Sequence, residues 1–276
     1  MQVSQYVCTR CGSVLKETAE YIEIHSLKEE CPSCGSLLAD RLEKRHLRPV
    51  MNQTPLKIQT ADALLKLKFD IPAIDSFMGL GRTDLCCVTG KYANLILTRL
   101  CVRSLPPERH GGMNSQYVMV ADVGNLADVY GTINFARQYG LNAEKAAERI
   151  LVVRAFTVPQ VKRLLSEELP KIISKYRTKS VIVPGLLRAF EEDPNMRKRE
   201  AEKEVDRIVK VVKGVSSIAL VIVSVQGSSN KYVIPEFKKR INVVGDYGRI
   251  AAELYNEVER KTVLLTKREL QMVSKR

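Results

Sequence analysis

The sequence predicts an α/β protein: a mostly parallel sheet flanked by helices, ending in an antiparallel hairpin and preceded by a small cysteine-rich module. Three observations carry this. From about residue 57 onward, short runs of continuous apolar residues alternate with amphipathic stretches of helical period. Strands that are apolar on both faces belong in a parallel sheet covered by helices on each side. The last such unit is followed by two β-like runs around the polar segment EVERK, within 249–268, as a terminal hairpin would read. Four of the seven cysteines form two CxxCG pairs before residue 36.

The cysteine pairs are Cys8-Thr9-Arg10-Cys11-Gly12 and Cys31-Pro32-Ser33-Cys34-Gly35, with 19 residues between them. Each pair makes a tight knuckle that turns two thiolates toward one metal, and the following glycine tolerates the positive φ that closes it. Cys8, Cys11, Cys31 and Cys34 together supply the four thiolates of one structural, tetrahedral Zn²⁺. The intervening LKETAEYIEIHS reads as a short hairpin, so residues 1–48 read as a zinc ribbon. Disulfides are the competing reading, and an intracellular chain would not keep them. A closed four-thiolate site does no chemistry. His25 reads as a surface residue rather than a ligand.

Residues 49–56, containing Pro49 and NQTP, read as a linker, and residues 57–276 as the core domain. TADALLKL from Thr60 reads as a short amphipathic helix. Strands follow at 85–90, 117–124, 150–156, 180–187 and 217–226. Helices are expected over 94–105, over 127–140 ending on Gly140, over 158–176 with a bend at Pro170, and over 199–215. Cys86, Cys87 and Cys101 stand in apolar company and read as buried small hydrophobes.

Composition excludes several classes. The 276 residues are 45% hydrophobic, too many for a disordered chain, and no stretch approaches the roughly 20 apolar residues of a membrane span. No secretory signal pattern opens the sequence, so the cytoplasm is expected and no membrane partner. The net charge of +13 suggests an anionic partner. Residues 1–50 hold seven basic and seven acidic groups, so the excess belongs entirely to the rest of the chain. Zinc with four thiolates would make the neutral module locally acidic, which favours protein docking over a nucleic-acid grip.

From Thr60 to about residue 268 the chain resembles the RecA-superfamily recombinase core, of the archaeal RadA type. TADALL (60–65), AIDSFMGLGRTDLCCVTG (73–90), the segment 117–160 and SSIALVIVSVQ (216–226) carry the resemblance, with Gln226 in the family's polar sensor position. The resemblance covers about three quarters of the chain, and its specificity lies in the order of the segments. It implies a RecA-like fold.

The functional motifs depart from it. A phosphate loop needs GxxxxGK[ST], whose amides cradle phosphate while Lys and Ser/Thr serve the γ-oxygens and Mg²⁺. Counting from Gly90, the run is Lys91-Tyr92-Ala93-Asn94-Leu95-Ile96-Leu97, which puts Ile96 and Leu97 at the lysine and threonine positions. Lys91 comes too early unless the loop is rebuilt. The catalytic acid should follow Asp122, but the chain reads Asp122-Val123-Gly124. Pro184 stands where the Mg²⁺-organising aspartate should end the strand SVIV (180–183). Phosphoryl transfer needs all three groups. The expectation is a pseudo-ATPase that is not an enzyme and needs neither ATP nor Mg²⁺.

In the recombinases, the loops after the strands near Pro184 and Gln226 face single-stranded DNA. Here the matching loops carry Arg188, Arg197, Lys198 and Arg199, then Lys231, Lys238, Lys239 and Arg240, with Tyr232 and Phe237 interleaved. That mixture suits a base-stacking groove, while a solvated basic surface is the alternative. Two functions remain open. One is a DNA-binding accessory or mediator factor of homologous recombination and repair, contacting the recombinase or another protein through the ribbon. The other is a structural, protein-docking subunit of a different assembly. Homo- or hetero-oligomers fit either.

Overall fold

The computed structural model of the chain describes residues 4–8, 14–18, 42–46, 66–226, 233–246 and 249–273. The chain divides into two compact units, Met1–Ile58 and Gln59–Arg276. In the first, strand β1 (Ser4–Cys8) lies between β2 (Val14–Thr18) and β3 (Leu42–His46), antiparallel to both. Cys8 closes β1 opposite Leu42. Cys11, Cys31 and Cys34, the 49–56 linker and residues 60–65 of the expected TADALLKL helix lie outside the described residues, while its last residue, Leu67, forms an antiparallel bridge with Leu80 instead of a helical turn.

The second unit is built on an eight-stranded sheet. Its strands are β4 (Leu85–Gly90), β5 (Val118–Asp122), β6 (Ile150–Arg154), β7 (Ser180–Val183), β8 (Leu220–Ser224), β9 (Lys239–Asp246), β10 (Arg249–Tyr255) and β11 (Arg260–Leu265). The spatial order is β11-β10-β9-β4-β8-β7-β5-β6. The six strands from β9 to β6 run parallel, and β10 and β11 complete the sheet antiparallel. This is the expected α/β architecture with its terminal hairpin.

Alternation along each strand feeds two cores. Val118 and Val120 of β5 face a cluster with Ile96, Leu97 and Leu100 of the helix that follows β4. Met119 and Ala121 face the opposite cluster, with Val161, Leu165, Val205 and Val209. A strand buried on both sides has no polar face to show, which is why these segments read as continuous apolar runs.

The helices are α1 (Pro72–Asp75), α2 (Ala93–Arg103), α3 (Val129–Gln138), α4 (Ala143–Glu148), α5 (Val158–Arg163), α6 (Leu169–Tyr176), α7 (Arg188–Glu191), α8 (Lys198–Ser216) and α9 (Lys267–Gln271). The bend expected at Pro170 is a π-turn over Leu164–Glu168, where Leu169 N–H donates to the Leu164 carbonyl five residues back. Proline has no N–H to give and its ring crowds the carbonyl four residues earlier, so the helix widens by one residue there.

Strand β9 replaces what the sequence presents as the end of a basic loop. Lys239 and Arg240 open it, and only Ile241 and Val243 reach the core, alternating with Asn242. That short, charged alternation hides the strand.

Candidate functional site

In open parallel sheets, ligands bind beyond the carboxyl ends of the strands, so the candidate site is the edge carrying Gly90, Asp122 and Pro184. Gly90 ends β4 at φ +90, and a Cβ there would stand 2.0 Å from the Val243 carbonyl oxygen. Only glycine fits. The chain then turns through Lys91 and Tyr92 alone before α2 begins at Ala93. A phosphate loop needs several more residues to curl its amides around an anion.

The structure places Ile96 and Leu97 inside a helix. They are not at a loop–helix junction but within α2, each 1% exposed and packed on the sheet. The residues at the junction are Lys91, which is exposed, and Tyr92, which packs against the core.

Asp122, at the end of β5, has no exposed surface. One carboxylate oxygen accepts hydrogen bonds from Leu126 N (2.7 Å) and Ala127 N (3.2 Å), and the other lies 3.2 Å from Arg154 Nε. It holds its own loop and has no face toward a ligand. Beyond it, Gly124 and Gly185 bring the loops after β5 and β7 into backbone contact. A Cβ at 124 would lie 2.8 Å from Gly185 Cα and from the Pro184 oxygen. At position 124 there is no room for a methyl group. Pro184 is buried, and the Gly185 amide donates to Ser224 Oγ (2.8 Å), tying this loop to the end of β8. Gln226 is exposed and lines a shallow pocket with Gly185 and Arg188.

No protein-family model matches this chain, and no curated protein matches it in sequence. The chemistry of the site rests on its own residues.

The basic residues fall into two places. Arg188 is tied to the carboxyl edge, donating to the Gly124 carbonyl (3.0 Å) and to Glu192 (2.8 Å). Arg197 and Arg199 are exposed at the start of α8, and neither forms an ion pair among the described residues. Lys198 is the first residue of α8. Lys238 and Lys239 belong to the opposite edge. Lys213 in the last turn of α8 reaches Glu236 (2.6 Å), beside Lys238 in sequence, and Lys213 lies roughly 22 Å along the helix from Lys198 at 1.5 Å per residue. In register, Lys239 lies opposite Cys86 near the start of β4, and its amine holds Asp84 (2.5 Å) and the Gly79 carbonyl (3.0 Å).

Helix α8 separates the two clusters. Phe237 is 1% exposed and packs in the core with Val233 and Cys87, so it cannot stack on a base. Arg240 is a strand residue lying over the ring of Tyr255 (4.5 Å), which is partly exposed. Lys238 is exposed and pairs with Glu257 (3.2 Å). Lys231 and Tyr232 lie outside the described residues.

Sequence reasoning missed the Arg154 partner of Asp122 and the glycine contact. Both join residues distant in sequence, and only the sheet register brings them together. Cys86, Cys87 and Cys101 are buried as expected, and burial pushes the thiols of Cys86 and Cys101 up to about 12. Among the described residues, no group of three or more His, Cys, Asp or Glu could hold a metal ion. No helix among them is long and apolar enough to cross a membrane.

Proposed function

We propose that this chain is a non-catalytic recombinase paralogue: a RecA-like, RadA-type pseudo-ATPase acting as an accessory or mediator factor in homologous recombination and DNA repair. The observation that carries the non-catalytic part is the Gly124–Gly185 contact, which fills the space a catalytic acid would need. The two-residue turn after Gly90 and the self-satisfied Asp122 support it independently. The parallel sheet ending in an antiparallel pair agrees with the fold that the resemblance implies.

Such a protein works by binding. DNA, single-stranded by preference, would be held at the carboxyl edge by Arg197, Lys198 and Arg199. Cations at the amino end of a helix oppose its dipole, an arrangement that an anion relieves. The zinc ribbon, with Cys8, Cys11, Cys31 and Cys34 on one structural Zn²⁺, would dock the recombinase or another cytoplasmic protein.

A specific observation also favours the purely structural, docking reading. Strand β6 is a free edge of the sheet and carries Val152 (41% exposed), with Phe156 (63%) just beyond it. Val129 and Tyr130, 51% and 88% exposed, lie at the start of α3. Open sheet edges and exposed apolar clusters are what partner proteins cover.

The test is calorimetric titration with Mg·ATP beside purification of the tagged protein from its native cell. The proposal expects no nucleotide binding and recovery of the recombinase. Saturable ATP binding lost in Lys91→Ala would overturn the first part. Consistent recovery of a different complex without recombinase would transfer the protein to the docking reading.

A further inference from the structure

A cavity of about 90 Å³ opens between α2, α3 and the sheet. Its wall is drawn from α2, α3, α4, β5, β6 and β7, with Leu97, Val120, Ile133, Val152 and Ile182 among the apolar groups. Val120 and Ile182 are nearly fully buried, so the floor lies well below the surface, while Val129 and Val152 at its margin are half exposed. The cavity is therefore preformed and reachable.

Its polar side chains are already engaged with backbone. The Asn94 amide donates to the Leu126 carbonyl (2.7 Å), Thr98 Oγ1 to the Asn94 carbonyl (2.9 Å) and Thr132 Oγ1 to the Asp128 carbonyl (2.7 Å). The Asp128 carboxylate accepts from Gly131 N (2.8 Å). Beyond these, the wall's side-chain heteroatoms are the Asn94 amide oxygen, the second Asp128 oxygen and the Cys101 sulfur, a neutral thiol in this apolar setting. A water molecule needs two to four polar partners to be held in such a space, and the wall offers it almost none. No cation lines the wall, so an anionic ligand would lose its hydration for nothing in return, and a cation would find only the Asp128 carboxylate, already accepting from Gly131 N.

We infer that this cavity is a binding site for a small, uncharged, apolar ligand, with room for a group on the order of five or six heavy atoms. The site shares Val129 and Val152 with the exposed apolar edge at β6 and α3, is lined by none of Arg197, Lys198 and Arg199, and does not rest on the recombinase reading. A ligand seated there would bridge α2, α3 and the edge strand, and so stabilise the folded state by mass action.

The test is methyl NMR on the full chain with xenon and benzene as probes and benzoate as the charged counterpart. Saturable shifts confined to the methyls of Leu97, Val120, Ile133, Val152 and Ile182 are expected with xenon and benzene, with benzoate at least tenfold weaker. Ile133→Phe, which fills the space, should abolish them while methyls such as Val223 on the other face keep their positions. Ala127→Leu, at another point of the wall, serves if the first variant does not fold. Absence of shifts with both apolar probes, shifts scattered over the surface, undiminished binding by the filled variant, or equal binding of benzoate would each overturn the inference.

Discussion

Asp122 and Arg154 are direct register partners across the parallel pair β5–β6, with Arg154 Nε 3.2 Å from Asp122 Oδ2. The carboxylate is buried, the guanidinium half exposed, and the two amides of Leu126 and Ala127 complete the shell. An acidic residue at a strand end, which sequence alone offers as a remnant of catalysis, is a structural pin. Asp122→Ala would leave two amides without their acceptor and is expected to destabilise the fold by about 2–4 kcal/mol in urea denaturation. Asp122→Asn should recover part of that loss, since an amide oxygen still accepts one N–H. Equal stability of Asp122→Ala and the parent would contradict the role.

Arg99 predicts a second large effect. It is 1% exposed, in the middle of α2, and its guanidinium donates to the carbonyls of Glu269 (2.5 Å), Leu270 (3.2 Å), Met272 (3.1 Å) and Asp70 (2.8 Å). Those bonds fasten α9 to the core. Arg99→Met keeps the stem but strips the fork, and a loss of about 3 kcal/mol is expected. Arg99→Lys should recover little, because one ammonium cannot span carbonyls set out for a planar fork. Hydrogen exchange should locate the damage in 267–271. Unchanged protection of those amides would show that α9 is held by other contacts.

The parts of the fold that sequence disclosed are those whose burial is symmetric. Strands β4, β5, β7 and β8 are covered on both faces, so polar residues (Thr89, Asp122, Ser180, Ser224) stand only at or next to their ends and the apolar run between them is unmistakable. Strand β9 is buried on one face only and begins with two cations, whose partners Asp84 and Tyr255 come from elsewhere in the chain. The departure from the phosphate-loop motif was legible in the sequence. Its cause was not, because counting eight positions from Gly90 presumes a loop of standard length. Structure shows α2 starting three residues after Gly90, which moves Ile96 and Leu97 into the core.

The basic clusters, now assigned to opposite edges, should behave differently toward nucleic acid. Reversing the unpaired pair, Arg197→Glu with Arg199→Glu, is expected to weaken single-stranded DNA binding at least tenfold and to lower the salt slope by about one to two. Lys239→Gln should leave DNA affinity within about twofold and instead cost stability, since its amine is spent on Asp84. Fluorescence anisotropy across a salt series measures both. Affinity that barely responds to salt in the parent protein would remove the DNA part of the proposed function.

Zinc gives a prediction independent of the second unit. One equivalent of Zn²⁺ per chain is expected by elemental analysis, and any one of Cys8→Ser, Cys11→Ser, Cys31→Ser or Cys34→Ser should lower it toward zero. The melting transition of residues 59–276 should be unaffected. Full zinc content in the Cys31→Ser protein would remove the four-thiolate assignment.

Asp75 supplies a pH dependence whose sign can be worked out. Its carboxyl lies in a largely apolar setting, where burial pushes its pKa above the ordinary aspartate value. The nearby Asp70 adds to the rise, and the Phe69 amide, donating at 2.6 Å, opposes it. A group that binds its proton more tightly when folded contributes stability below its unfolded pKa, near about 3.9, and loses that contribution as pH rises through the folded value. Asp75→Asn keeps an oxygen for the Phe69 amide and removes the titration. The variant should therefore gain on the parent as pH is raised from about 3 to about 6, with the difference constant above that interval. Thermal melts of both proteins across this range provide the check. A gap that stays constant, or narrows on raising the pH, would mean that burial does not dominate at Asp75.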